Sequence, residues 1–396
     1  MDVVKEIREL KNQLAYSKNI GFFFGAGTSS ALKIPNIDML TTGIETALKN
    51  DHKKHFQIIR DSLKAAGIPA GRSVNIEDIL NQVRRIREIT NDKAEQDFIK
   101  VTGEAAKNLD KEICNQIYAI ISDSEAKADL ANSKKFFAWL NILNRDYSKE
   151  VFTTNYDLII EKALEQSQIP YFDGFVGAYE PFFWQESVEL SPGKDDLTRN
   201  WIRLWKIHGS LNWFWKEDPA DKSQRIIRVG KFDKAGATDK ELVIYPSKEK
   251  YDSSRKQPFI AYFDRLKSFL LSGELLFVFT GYSFSDQHIN EIIFNCLRQN
   301  TRLFCIVLCF SDAQVESLHK LASSYLNFNV FGPKKAIVNG ALSDWTFDKA
   351  DVKDTEKYSQ YWDEGKAELR LGDFNQLVEF LIAYSGKTQL LDASKK

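Results

Sequence analysis

Ile20-Gly21-Phe22-Phe23-Phe24-Gly25-Ala26-Gly27-Thr28-Ser29 is the stretch on which the reading of the fold turns. Ile20 to Phe24 is a compact run with no polar residue, and it stops at a glycine. Such a short unbroken run suits a strand buried on both faces, as in a parallel sheet. Glycines at its end let the backbone approach a pyrophosphate, and amide N–H groups at such a turn can bind it. The third glycine of the usual dinucleotide fingerprint is absent, so a tight turn without a ligand fits the same residues.

Working outward, the pattern recurs. Val151-Phe152-Thr153 runs into Thr154-Asn155-Tyr156-Asp157, and Arg203-Leu204-Trp205-Lys206-Ile207 runs into His208-Gly209-Ser210. Leu275-Leu276-Phe277-Val278-Phe279-Thr280 ends at Gly281-Tyr282-Ser283, and Leu303 to Phe310 is one more buried run. Helical texture separates them. Residues 2–18 read as an amphipathic helix. Residues 41–145 are mostly helical, with Asn75 as the N-cap of a helix whose Ile76, Ile79, Leu80, Val83 and Ile86 share one face. Strands alternating with helices predict an α/β fold: a Rossmann-like parallel sheet with helices on both faces, plus a helical insertion module. Ligands in such folds bind at the carboxyl ends of the strands, where every one of these motifs falls.

Taken singly, each motif has a plain structural reading. Asn155 or Asp157 fits an Asx turn capping the next helix, and His208 fits a histidine satisfied beside a glycine turn. Taken in order, they resemble the NAD-handling core of the sirtuin family. That resemblance implies that Gly25, Ala26, Gly27 and Ser29 hold the NAD phosphates, and that Gly281 and Ser283 bind phosphate and ribose. It implies that Asn155 serves the nicotinamide ribose and a nearby water, and that Asp157 contacts the carboxamide. His208 takes the place of the catalytic histidine, and Thr154 stands where the family has Gln.

The departures narrow the resemblance. No Cys-x-x-Cys pair is present, so no zinc module is expected, while the resemblance implies NAD as substrate. After Ile34-Pro35 the family's Phe and Arg are missing. These features, with Ile76-Glu77-Asp78-Ile79-Leu80 and the stretch 281–286, are similar to sirtuin-like NAD hydrolases of prokaryotic antiviral defence. The resemblance implies NAD depletion in abortive infection, a homo-oligomer, and a HerA-type hexameric ATPase or other activating protein as partner. Protein deacylation, ADP-ribosyl transfer and non-catalytic NAD sensing are the alternatives.

Composition sets further bounds. The 396 residues carry a net charge of -1, which argues against a whole-chain grip on nucleic acid. Lys222 to Lys256 holds ten Lys/Arg against five Asp/Glu, and Asp344 to Glu379 holds the reverse, ten acidic against five basic; both read as solvated faces. Cys114, Cys296, Cys305 and Cys309 read as reduced, buried small hydrophobes. The charged start Met1-Asp2-Val3-Val4-Lys5-Glu6 and the lack of a long apolar run lead us to expect a cytoplasmic protein with no membrane segment. The expected layout is an NAD-binding domain over 1–45 and 136–325, a helical insertion over 46–135, and a C-terminal accessory segment over 326–396.

Overall fold

A computed structural model describes residues 1–68, 72–143, 148–189, 200–218, 220, 222–230, 242–244, 257–353 and 357–384. Its centre is a nine-stranded sheet. In chain order the strands are β1 (Asn19–Phe24), β2 (Glu150–Thr153), β3 (Tyr171–Phe172), β4 (Ile202–Lys206), β5 (Leu275–Thr280), β6 (Leu303–Leu308), β7 (Phe328–Phe331), β8 (Lys335–Val338) and β9 (Ala341–Asp344). Across the sheet the order is β9-β8-β7-β6-β5-β1-β2-β4-β3. Pairings from β3 through β7 are all parallel, and β8 and β9 close one edge antiparallel. The mixed α/β fold expected from the apolar runs is the one observed.

The run of phenylalanines in β1 shows why this sheet must be covered twice. Side chains alternate along a strand. Phe22 and Phe24 therefore enter one core with Phe136, Leu276, Val278 and the C-terminal Phe374, while Phe23 enters the other with Phe279, Tyr282 and Val307. The first core is roofed by helices Val3–Tyr16, Ala131–Ile142, Ile159–Gln166 and Phe374–Tyr384. The second is roofed by Phe259–Leu270, Gln287–Gln299 and Asp312–Ala322.

The chain leaves β1 toward β2 on one side and later returns to lay β5 on the other. This reversal is the topological switch point of an open sheet, the place at which such folds bind ligands, at the carboxyl ends of β1 and β5. Gly25 to Ser29 and Gly281 to Asp286 leave the sheet there.

The helical insertion is built as its periodicity predicts. Helices Ile37–Ala47, Asn50–Ala65, Ile76–Thr90 and Gly103–Glu125 enclose a third core. Asn75 caps its helix through the amides of Glu77 and Asp78, and Asp78 answers by accepting from the Asn75 amide, a complete capping box. A two-residue hairpin, Asp97–Phe98 with Val101–Thr102, interrupts the helical stretch.

Two regions hold more structure than their sequence announces. Residues 216–258 read as a polar insertion or a long connection, and the described part of them contributes strands. Gly209–Glu217, Gln224–Arg228 and Leu242–Ile244 join Phe175–Val176 and Phe182–Phe183 in a five-stranded antiparallel sheet. Its Leu211, Phe214 and Ile227 are inserted into the helical core. The segment after 325, expected to be an accessory, supplies three strands of the main sheet and the Phe374–Tyr384 helix. Met1 ties to this end of the chain, its amino group donating to the Asp344 carbonyl at 2.9 Å. Most of the basic stretch 222–256 lies outside the described residues.

Among the described residues no helix is long and apolar enough to cross a membrane. Cys296, Cys305 and Cys309 are buried, and burial pushes their thiols up, to about 11 for Cys296 and about 12 for Cys309. Cys114 departs from the apolar reading. Its thiol is half-buried and donates to Asp110 Oδ1 at 3.5 Å beside Arg84. Among the described residues no three His, Cys, Asp or Glu side chains cluster as metal ligands.

Candidate active site

The glycine turn is packed against a second glycine turn. Gly25 N–H donates to the Thr280 carbonyl at 3.0 Å and Gly27 N–H to the Gly281 carbonyl at 2.9 Å. A Cβ on Gly25 would stand 2.3 Å from the Gly281 oxygen. Gly281 has φ +65°, and a Cβ there would stand 2.4 Å from the Thr28 nitrogen. These glycines thus serve the close approach of β1 and β5 at the switch point. The amides of Gly25, Gly27 and Thr28 are all engaged by backbone carbonyls, the last by Gly25 at 3.1 Å. Phosphate binding here would draw on other donors or on a shift of this turn. Ala26, Gly27 and Ser283 are exposed at its rim, with Ser283 and Ser285 hydroxyls 2.8 Å apart.

The end of β2 is locked onto that turn. Asn155 is 8% exposed, and its Nδ2 donates toward the Gly25 carbonyl at 3.0 Å, Thr28 Oγ1 at 3.1 Å and Ser29 Oγ at 2.8 Å. Ser29 Oγ donates to Asp157 Oδ2 at 2.6 Å, and Asp157 Oδ1 accepts from the Ile159 amide at 3.1 Å. The Asx-turn reading of this motif holds for Asp157, whose side chain accepts from the Ile159 amide two residues on. Asp157 caps the following helix and also reaches across to the glycine turn. Thr154 is half-buried beside them, its N–H on the Phe24 carbonyl at 3.2 Å.

Beneath Asp157 lies a buried ion pair. Lys206 Nζ donates to Glu161 Oε1 at 2.8 Å and to the Asp157 carbonyl. Lys206 is 2% exposed, and burial pushes the Glu161 carboxyl up while Lys206 pulls it down. Such a pair holds geometry more than it adds stability.

β4 delivers His208. The Ile207 amide donates to the Thr153 carbonyl at 2.9 Å, carrying the parallel pairing one step past Thr153 and Lys206 to the residue before the histidine. His208 Nε2 lies 3.1 Å from Asp286 Oδ2. Asp286 is fixed in turn, its Oδ1 accepting from the amides of His288 at 3.0 Å and Ile289 at 3.3 Å as the N-cap of the Gln287–Gln299 helix. In the helical insertion, burial pushes the Glu77 carboxyl up, and the His208 charge offsets only part of that rise.

The structure thus joins Gly25, Gly27, Ser29, Asn155, Asp157 and Gly281 in one network and sets His208 at the adjacent strand end. The sequence motifs did not reveal Asp286 as the partner of His208. It lies 78 positions further along the chain and reads locally as the start of a helix.

With the strand ends assembled in this order, the chain can be compared with known proteins. Residues 149–326 match the SIR2-like domain family. The SIR2-like stretch contains Asn155, Asp157, His208, Gly281 and Ser283; the glycine turn after β1 lies N-terminal to it. No curated protein matches the chain. Among solved structures, the chain is similar to a Sir2 homologue in complex with NAD, at 13% identity and TM-score 0.42, covering 96% of this chain and 94% of that one. It is also similar to a mutant Sir2 homologue in complex with ADP-ribose, at 15% identity and TM-score 0.35, covering 77% of this chain and 84% of that one.

Proposed function

We propose that the protein is an NAD glycohydrolase that cleaves the bond between nicotinamide and ribose, giving nicotinamide and ADP-ribose. The observation that carries this reading is the hydrogen-bonded meeting of Ser29, Asn155 and Asp157 at the switch point, beside a histidine held by a carboxylate.

Breaking the glycosidic bond leaves an oxocarbenium-like ribose, the electronic problem also met in glycoside hydrolysis. The C1′–N bond breaks and its electron pair leaves with neutral nicotinamide. The oxygen of water bonds to C1′, and the water proton passes to His208 as general base. Asn155 positions the ribose and that water, and Asp157 holds the departing carboxamide. Gly25, Ala26, Gly27, Gly281 and Ser283 form the rim on which the phosphates rest.

In the same reading the enzyme depletes NAD in antiphage defence. It would be held silent until oligomerisation or an activating protein, such as a HerA-type ATPase, triggers it. Incubating the purified chain with NAD and separating the products by chromatography tests the chemistry. Adding an acyl-lysine peptide separates hydrolysis from deacylation, since acetyl-ADP-ribose would form only in the second case.

A further inference from the structure

We propose that the cavity between the Ile159–Gln166 helix and the second sheet is a binding site for a small guanidinium compound, separate from the site at the strand ends. The cavity has a volume of about 750 Å³, within the range of small-molecule sites. Glu161 and Glu165 line it from the helix, Asn212 and Arg228 from the strands, and Tyr179 from the loop before Phe182–Phe183. None of the residues assigned to NAD lines it. The inference goes beyond the NAD reading and does not depend on it.

The walls are tied to one another. The Val229 amide donates to the Asn212 carbonyl at 2.9 Å, and the Arg228 amide donates to the Pro181 carbonyl at 2.8 Å. Glu161 is held through Oε1 by Lys206 at 2.8 Å. Bonds of this kind fix the shape before a ligand arrives, so little ordering opposes binding.

The lining is short of donors. Glu161 and Asn212 are each 8% exposed, and Glu161 Oε2 and Asn212 Oδ1 have no hydrogen-bond partner. A buried acceptor left unmet costs free energy, which a ligand bringing N–H groups recovers. The two cationic side chains of the lining are committed elsewhere, Lys162 to Glu125 and Arg228 to Asp173. Glu165 accepts from the Tyr171 phenol at 2.9 Å and has no cation beside it among the described residues. Burial pushes that phenol up, and the carboxylates of Glu161, Asp173 and Glu165 push it further against the pull of Arg228. The field along this wall is therefore negative.

These features select the chemistry of the ligand. The unmet acceptors are a carboxylate oxygen on the helix and an amide oxygen on the strand. A guanidinium carries five N–H donors in one plane and no acceptor, so it supplies both without adding an unmet group of its own. Tyr179, fully exposed at the rim, offers a ring face on which that plane stacks.

Calorimetric titration of the full-length protein with agmatine, in the absence of NAD, tests the site. Agmatine is expected to bind with a stoichiometry of one per chain. N-butylurea, a neutral relative of similar shape, is expected to bind about tenfold more weakly or worse. Glu161→Gln is expected to weaken agmatine binding by about tenfold or more. Glu161 also holds Lys206, so Glu165→Gln and Tyr179→Ala, both at exposed positions, provide a test that does not disturb the core. Each is expected to weaken agmatine binding by about threefold or more. These two variants decide the matter if Glu161→Gln does not fold. Absence of saturable agmatine binding to the parent, equal affinity for N-butylurea, or parent affinity in both Glu165→Gln and Tyr179→Ala overturns the proposal.

Discussion

Ser29 Oγ donates to Asp157 Oδ2 at 2.6 Å, joining the turn after β1 to the turn after β2 across 128 residues of chain. Neither residue needs the other for its local structure, since Asp157 already caps a helix through its second oxygen. The bond instead fixes the distance between the glycine turn and the residue assigned to nicotinamide. Ser29→Ala is expected to leave the fold intact and to weaken NAD binding by about 1–2 kcal/mol, roughly a tenfold rise in Kd by calorimetry. Unchanged affinity would show that this link has no part in the NAD site.

Asn155 braces as much as it points. Its amide serves a carbonyl and two hydroxyls within the buried network. Asn155→Ala is therefore expected to abolish NAD turnover and also to cost about 1–3 kcal/mol of stability, because it leaves buried acceptors unmet. Denaturant unfolding beside the activity assay checks both. A variant with parent stability and no activity would assign Asn155 to chemistry alone.

Gly281 has no room for a side chain. A methyl group there would meet the Thr28 nitrogen at 2.4 Å in a left-handed backbone. Gly281→Ala is expected to separate the two turns, with a loss of stability of about 1–3 kcal/mol and loss of NAD binding. Retention of both would mean that the turns slide apart cheaply.

The Lys206–Glu161 pair should be asymmetric to mutation. Removing one partner leaves a buried charge, so Lys206→Met is expected to destabilise by about 3–5 kcal/mol. The double variant Lys206→Met/Glu161→Leu is expected to recover much of that loss in thermal unfolding. Additive effects in the double-mutant cycle would contradict the pairing.

Asp110 ties two helices of the insertion together. Burial alone would raise its carboxyl, but Arg84 and Arg87 outweigh it and hold the pKa below the ordinary range. A depressed pKa contributes stability that is present above the unfolded value, about 3.9, and is lost as pH falls through the folded one. Asp110→Asn should therefore be less stable than the parent at neutral pH, with the difference shrinking in acid. A constant difference across pH would contradict this.

How far the sequence reached follows from the range of each interaction. The strands carry their own signal, because Ile20 to Phe24 and Leu275 to Thr280 are apolar on both faces. The Asn75 cap is equally local. The second sheet was hidden because Gln224-Arg225-Ile226-Ile227-Arg228 buries only its two central residues, too few to stand out in a polar stretch. The last strands of the main sheet were missed because Phe328–Phe331 is short and gains its place by pairing with β6. The strand-end motifs of the site were legible, but the contact of His208 with Asp286 spans 78 positions, and no spacing rule announces it.

The measurement that tests the account most directly is NAD consumption by the full-length chain, with products resolved by chromatography, beside His208→Ala and calorimetric NAD binding. The account predicts equal amounts of nicotinamide and ADP-ribose from the parent and a loss of about a hundredfold or more in rate for His208→Ala, with binding retained. A parent that neither consumes nor binds NAD, or a His208→Ala variant as fast as the parent, would contradict it.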